Sequence, residues 1–127
     1  MRVLLDTQVL FLWFDNFPAV SPSARRTIAN PENERIVSAA SAWELAIKTK
    51  IGKLNAQPLL DRLEQYLNEQ GFGALPITLE HATRAGLLVQ HHKDPFDRML
   101  VAQAQAENLA IVSNDRVFDR YALTRIW

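Results

Sequence analysis

The chain contains no cysteine. This absence excludes disulfides and thiolate metal ligands, and it fits a reducing cytoplasm. Also missing is any apolar run close to the ~20 residues that cross a bilayer. The apolar stretch after Arg2 is interrupted by polar residues at 6–8, and no small-residue cleavage site follows, so it is not typical of a signal peptide. We expect a soluble, cytoplasmic protein without membrane association.

An excess of charge of one sign is missing too, because 14 basic residues balance 14 acidic ones. A neutral chain exerts no global attraction on nucleic acid, although a local basic patch is compatible with this balance. The sequence shows no internal repeat, low-complexity tract or Gly/Ser linker. Its 127 residues and 48% hydrophobic content predict one domain over 1–127 with its own core.

What the sequence does contain is short apolar runs separated by helical segments. Runs at 3–5, 35–39 and 109–113 are continuous rather than alternating, which favours strands buried on both faces of a parallel sheet. Weaker strand candidates lie at 73–77, where Pro76 favours an edge position, and at 123–127. Helices are predicted over 21–30, 41–50, 58–71, 79–88 and 95–109. This alternation predicts an α/β fold with a mostly parallel sheet.

Two of the predicted helix starts carry acidic residues. The spacing of Asp94, Pro95 and Asp97 indicates an N-cap, a first helical residue and an acid at the third position. Ser41-x-x-Glu44 resembles a capping box of the same kind. Taken singly, each acid is as compatible with a plain helix start as with a functional site.

The predicted topology brings these acids together with two others. Asp6 and Asp115 follow strands, and the helices that carry Glu44 and Asp97 begin at the same carboxyl edge of the sheet, where ligands bind. Asp115 alone is typical of a turn. An ionised Asp6 at the end of a buried apolar strand costs free energy unless the carboxylate is paired or coordinated. Four carboxylates at one edge, with Asp94 as a fifth nearby, therefore favour a site over separate coincidences.

Clustered carboxylates repel one another, and a hard divalent cation relieves that repulsion. Mg²⁺ and Mn²⁺ prefer oxygen ligands, so the acid set points to metal-assisted phosphoryl chemistry. His91 and His92 adjoin the acids and fit a phosphate contact or a polar loop better than a metal ligand, whereas His81 is interpreted as structural. The basic residues expected near the same edge, where they would offset phosphate charge, are Lys48, Lys93, Arg98 and Arg116.

Several motifs together resemble one known family. They are LLDTQVLFLW at 4–13, SAASAWELAIKTKIGKL at 38–54, HHKDPFDRMLVAQA at 91–104, IVSND at 111–115 and the closing YALTRIW. In order and spacing they are similar to the PIN-domain family, and within it to the VapC-like ribonuclease toxins of type II toxin–antitoxin pairs. The resemblance implies a three-layer α/β/α domain with about five mostly parallel strands, and an Mg²⁺- or Mn²⁺-dependent endoribonuclease.

The same resemblance implies the roles of individual residues. Asp6, Glu44, Asp97 and Asp115 match the four acids that bind metal and carry catalysis. Thr7, Asp94 and Asn114 are expected to support them from outside the metal ligands. Gln8 departs from the subgroup, which often has histidine there. The resemblance further implies an RNA substrate, a cognate antitoxin and a homodimer, for which the apolar stripe of the 58–71 helix is a candidate surface.

Two other functions are compatible with the acidic edge. A catalytically silent module would receive an arginine of a partner protein there, in a bidentate ion pair. A haloacid-dehalogenase-like phosphatase is disfavoured, because such enzymes carry Asp-x-Asp after the first strand and this chain has Asp6-Thr7-Gln8.

Overall fold

The computed structural model describes residues 1–127, which form a sheet of five parallel strands in the order β3-β2-β1-β4-β5. The strands are β1 (Arg2–Leu5), β2 (Glu34–Ser38), β3 (Gly73–Leu75), β4 (Ala110–Val112) and β5 (Arg125–Ile126). The strand order reverses between β1 and β4. In parallel sheets such a reversal opens a crevice at the carboxyl ends of the strands.

Seven α-helices and two 3-10 helices connect the strands. The α-helices are α1 (Thr7–Asp15), α2 (Pro22–Ala29), α3 (Ala39–Lys50), α4 (Gln57–Leu60), α5 (Leu63–Gln70), α6 (Leu79–Leu87) and α7 (Pro95–Glu107). The 3-10 helices span Phe17–Ala19 and Arg116–Tyr121. None of the helices has the length and apolar composition needed to cross a membrane.

The sheet is buried on both faces, as its continuous apolar strands predict. Val3 and Leu5 of β1 point into one core with side chains of α1, α2 and α5, while Leu4 points into a second core with α7. These two cores make the arrangement three-layered. The predicted α/β fold and the predicted edge position of the 73–77 strand are both confirmed.

Local capping explains why several helices begin where the sequence predicts. Ser21 Oγ accepts from Ala24 N at 3.1 Å at the start of α2. Asp94 Oδ1 accepts from the amides of Phe96 and Asp97 at 2.9 and 3.0 Å, so Asp94 is the N-cap of α7. Asp97 therefore occupies the third helical position.

The predicted capping box at the start of α3 is wrong. The helix begins two residues earlier, because Ser38 is the N-cap and its Oγ accepts from Ala40 N at 3.0 Å. Ser41 is instead buried within the first turn. Glu44 lies in the second turn and has no capping role.

The single helix predicted over 58–71 is divided into α4 and α5. The chain turns at Asp61 and Arg62, and α5 ends at Gly71, whose φ of +73° suits a glycine stop. The apolar stripe of this segment is covered by the core: Leu59 and Leu67 are buried, and Leu63 packs against them. Most of this stripe therefore belongs to the core, and Leu60 and Leu63 are only partly buried.

The helix α1 is absent from the sequence prediction. Its start carries no side-chain capping bond, since Asp6 stands at the N-cap position without accepting from the helix. The following residues 9–14 are also uniformly apolar, so they show no amphipathic period. The helix forms because that apolar segment packs against the core.

Candidate active site

The four predicted acids and Asp94 line one cleft of about 510 Å³ beside the carboxyl ends of β1 and β4. Asp6 directly follows β1, Asp115 follows β4, and the other acids lie near the starts of α3 and α7. The cleft lining comprises Asp6, Thr7, Gln8, Phe11, Leu12, Glu44, Leu45, Lys48, Leu54, Asp94, Asp97 and Asp115. Segments far apart in sequence thus supply carboxylates to one space.

Asp6 is held rigidly at the floor of the cleft. Its backbone N–H donates to Val112 O at 3.0 Å, and Ser113 Oγ donates to its Oδ2 at 2.7 Å. Burial raises the pKa of Asp6 to about 6; the Ser113 hydrogen bond opposes the shift and the Glu44 charge adds to it. Ser113 therefore orients the carboxylate while burial keeps it poorly solvated.

Asp97 is the most strongly perturbed acid of the cleft. Its burial, followed by the charges of Asp6, Asp94, Glu44 and Asp115, raises its pKa to about 8. The side chain keeps 18% exposure, and His92 Nε2 lies 3.5 Å from its Oδ2. In the absence of a cation the cluster thus favours a protonated Asp97 at neutral pH.

Glu44 is buried with only half of its carboxylate paired. Lys48 Nζ lies 2.6 Å from Oε2 and supplies the counter-charge one helical turn away. Oε1 is buried without any hydrogen-bond partner. A buried carboxylate oxygen without a protein partner is costly, so this atom is suited to accept a ligand.

Asp115 lies at the exposed side of the cleft. Its Oδ1 accepts from Val117 N at 3.0 Å and caps the second 3-10 helix, and its own N–H donates to Ser113 Oγ at 3.0 Å. Ser113 therefore contacts both Asp6 and Asp115. Capping leaves the second oxygen of the Asp115 carboxylate available to a ligand.

The donor set suits a hard divalent cation, but the side chains as they stand do not form a closed ligand shell. No three His, Asp or Glu side chains are arranged to hold one ion. The available donors are carboxylate oxygens, the ligands that Mg²⁺ and Mn²⁺ prefer, and one buried oxygen of Glu44 has no partner. The chemistry of the donors, rather than their present arrangement, therefore fits such a cation.

Residues next to the acids divide into different roles. Thr7 Oγ1 and Ser41 Oγ share a buried hydrogen bond of 2.8 Å, which ties the start of α1 to α3. Gln8 also lines the cleft. Asn114 is exposed between Ser113 and Asp115.

The four basic residues predicted near the cleft are not equivalent. Lys48 lines it, and Lys93 and Arg116 are exposed in segments that adjoin its acids. Arg98 is different, because its guanidinium donates to the carbonyls of Ala85, Leu88, Val89 and His92 at 2.9–3.4 Å. Arg98 therefore holds the end of α6 and the following loop, which is a structural role that the sequence did not indicate.

The histidines also separate. His81 is buried, accepts from Thr78 N at 3.1 Å through Nδ1, and contacts Glu107 Oε1 at 2.8 Å through Nε2, as its structural interpretation predicts. His92 Nδ1 shares a hydrogen bond of 2.8 Å with the Tyr121 hydroxyl, which directs the other ring nitrogen toward Asp97.

Sequence reasoning missed Ser113, which contacts Asp6 and Asp115, and Ser41, which binds Thr7 beside Asp6. The only signal for Ser113 is its place between a strand and Asp115, and for Ser41 it was obscured by the apparent capping box. Also missed was the apolar wall of the cleft, formed by Phe11, Leu12 and Leu54. Two of these belong to α1, the helix that the sequence pattern did not reveal.

A parallel α/β fold with an acidic cleft at its strand reversal defines a class of ligand-binding domains. Within that class, the model of the PIN domain matches residues 3–123. The chain belongs to the PIN-domain family. A comparison with curated protein sequences found no match.

Several solved structures share this fold. DNA-bound VapBC from Salmonella typhimurium has a chain with a TM-score of 0.71 and 19% identity, covering 98% of this chain and 96% of its own. VapBC-1 from Haemophilus influenzae gives 0.68 and 16%, covering 98% and 96%. FitAcB from Neisseria gonorrhoeae gives 0.66 and 19%, covering 97% and 95%. These similarities extend over nearly the whole chain.

Proposed function

We propose that this protein is an Mg²⁺- or Mn²⁺-dependent endoribonuclease that acts as the toxin of a type II toxin–antitoxin pair. The observation that carries the proposal is the meeting of Asp6, Glu44, Asp97 and Asp115 in one cleft. Membership of the PIN-domain family supports the nuclease activity. Burial first, and then the neighbouring carboxylates, raise the pKa of Asp97 to about 8, which supports a site that favours added positive charge.

In this proposal Asp6, Asp97 and Asp115 hold the cation, and Glu44 contributes directly or through water. When bound, the ion supplies Lewis-acid chemistry for hydrolysis of an RNA phosphodiester. Ser113 fixes the orientation of Asp6 by its 2.7 Å hydrogen bond. Lys93 and Arg116, which are exposed and adjoin Asp94 and Asp115 in sequence, would offset phosphate charge, and Asp94 positions Asp97 by capping α7.

The proposed partners are a cognate antitoxin and a second copy of the chain. The likeness to chains of VapBC and FitAcB structures supports the first. Exposed apolar side chains support an interface of some kind: Trp43 on α3, Leu79 and Leu87 on α6, and Val89 beyond it are at least half exposed.

A catalytically silent acidic module remains the second candidate, and one contact favours it. The Lys48 ammonium already neutralises Glu44 at 2.6 Å without a metal ion. An arginine from a partner protein would act on the cleft in the same way. The two candidates differ in whether the free protein hydrolyses RNA.

The deciding experiment is cleavage of single-stranded RNA by the purified protein, freed of any partner. We expect cleavage with Mg²⁺ or Mn²⁺, loss with EDTA and loss in Asp6→Asn. Asp15→Asn is the matched control, because Asp15 is an exposed acid at the end of α1 and does not line the cleft. Cleavage that persists without metal and in Asp6→Asn would refute the proposed mechanism, and no cleavage under any condition would favour the silent module.

A further inference from the structure

Lys48 is placed differently from Lys50, the other lysine of its helix. It lies one turn after Glu44 on α3, and its side chain lines the acidic cleft together with Asp94 and Asp97. Lys50, two residues later, is exposed and makes no ion pair. The inward direction of Lys48 is therefore specific to that position rather than general to the helix.

The Lys48–Glu44 contact is more than a surface ion pair. The lysine side chain is 37% exposed, but the glutamate side chain is only 6% exposed. Exposed pairs spaced by four residues contribute little, whereas removing one member of a buried pair leaves a charge without compensation. Lys48 is the only ion-pair partner of Glu44, so the buried carboxylate depends on it.

The ion pair involves only one of the two carboxylate oxygens of Glu44. Lys48 contacts Oε2, while Oε1 remains buried without a partner. A cation that reached Oε1 would lie beside the ammonium and be repelled by it. The partly exposed lysine is free to rotate toward solvent, but the buried glutamate has no such freedom.

We propose that Lys48 is an internal counter-ion that occupies Glu44 in the metal-free protein and competes with a divalent cation for that carboxylate. Binding of the cation then requires displacement of the ammonium toward the mouth of the cleft. This inference rests on the proposed function of the cleft as a metal site. It makes Lys48 a determinant of metal affinity, in addition to any contact with phosphate.

The inference is tested without RNA by isothermal titration calorimetry, in which Mn²⁺ alone is titrated into the full-length protein. We expect Lys48→Met to bind Mn²⁺ roughly tenfold more tightly than wild type, because a competing positive charge is removed. Its metal-free melting temperature should fall, and the increase in Tm on adding Mn²⁺ should grow. Lys50→Met removes the same charge outside the cleft and should leave Mn²⁺ affinity within about twofold of wild type.

A double-mutant cycle separates competition at Glu44 from a general effect of charge on Mn²⁺ affinity. In Glu44→Gln the ion pair is gone, so adding Lys48→Met should change Mn²⁺ affinity much less than it does in wild type. Lys48→Gln serves in place of the methionine variant if that protein does not fold.

The outcomes are distinguishable. If wild type binds Mn²⁺ and Lys48→Met binds it no more tightly, the proposed role of Lys48 is overturned, but the metal site is not. Equal effects of Lys48→Met and Lys50→Met overturn it as well. Wild type that binds no Mn²⁺ overturns both this inference and the proposed metal-dependent function.

Discussion

Replacing Asp97 by asparagine separates capping from function. In the metal-free protein, burial and four neighbouring carboxylates raise the pKa of Asp97 to about 8, so its ionised form is destabilised. Each pKa unit corresponds to about 1.4 kcal/mol. Because the side chain keeps 18% exposure and solvent screens part of the repulsion, we expect the neutral side chain to stabilise the protein by about 1–3 kcal/mol at pH 9.

A smaller effect opposes this gain. Asp97 lies in the first turn of α7, where a negative charge interacts favourably with the helix dipole by roughly 0.3–1 kcal/mol. The repulsion is the larger contribution, so the metal-free variant should be at least as stable as wild type. Its RNA cleavage should nevertheless collapse, and its stabilisation by Mg²⁺ or Mn²⁺ should shrink.

Melting curves at pH 9 with and without metal, run beside an RNA-cleavage assay, test this reasoning. Asp15→Asn, which removes an exposed acid outside the cleft, is the control and should change neither the melting curves nor the RNA cleavage. Lower metal-free stability in Asp97→Asn, with activity and the metal-induced shift retained, would show that Asp97 only supports the helix start.

Three further predictions concern stability, each measured by denaturant unfolding. Asp94→Ala should cost about 1 kcal/mol through loss of the N-cap, whereas Asp94→Asn should cost a few tenths; equal losses would contradict the capping role. Because the pKa of Asp6 is raised from 3.8 to about 6, metal-free stability should be highest below pH 4 as far as Asp6 is concerned, and should fall by roughly 3 kcal/mol as pH rises through 6. Asp6→Asn should flatten that dependence, and an unchanged slope would refute the assignment. Arg98→Met should cost about 2–3 kcal/mol, because four carbonyls lose a charged donor; a loss below 0.5 kcal/mol would remove its structural role.

Much of the fold can be predicted from local sequence patterns, because the same local interactions are present in the folded protein. Continuous apolar strands identify a sheet covered on both faces, and Ser21, Asp94 and Gly71 mark helix ends by chemistry that depends on few neighbours. The convergence of the acids follows from topology alone, since parallel strands share one carboxyl edge.

The sequence predictions fail where contacts between distant segments determine the local structure. Helix α1 has neither a capping bond nor an amphipathic period, so only its packing against the core identifies it. Ser41 lies at capping-box spacing from Glu44, but its hydroxyl bonds Thr7, 34 residues away in the chain. The role of Arg98 likewise depends on carbonyls of a loop whose path no local pattern specifies.

Anomalous diffraction from crystals soaked in Mn²⁺ would test the central claim most directly, because it locates the ion without reference to activity. We predict density in the cleft within coordination distance of carboxylate oxygens of Asp6 and Asp97, with Lys48 Nζ moved away from Glu44. A well-occupied ion bound elsewhere, with the cleft filled by water and the Lys48–Glu44 pair intact, would contradict the account.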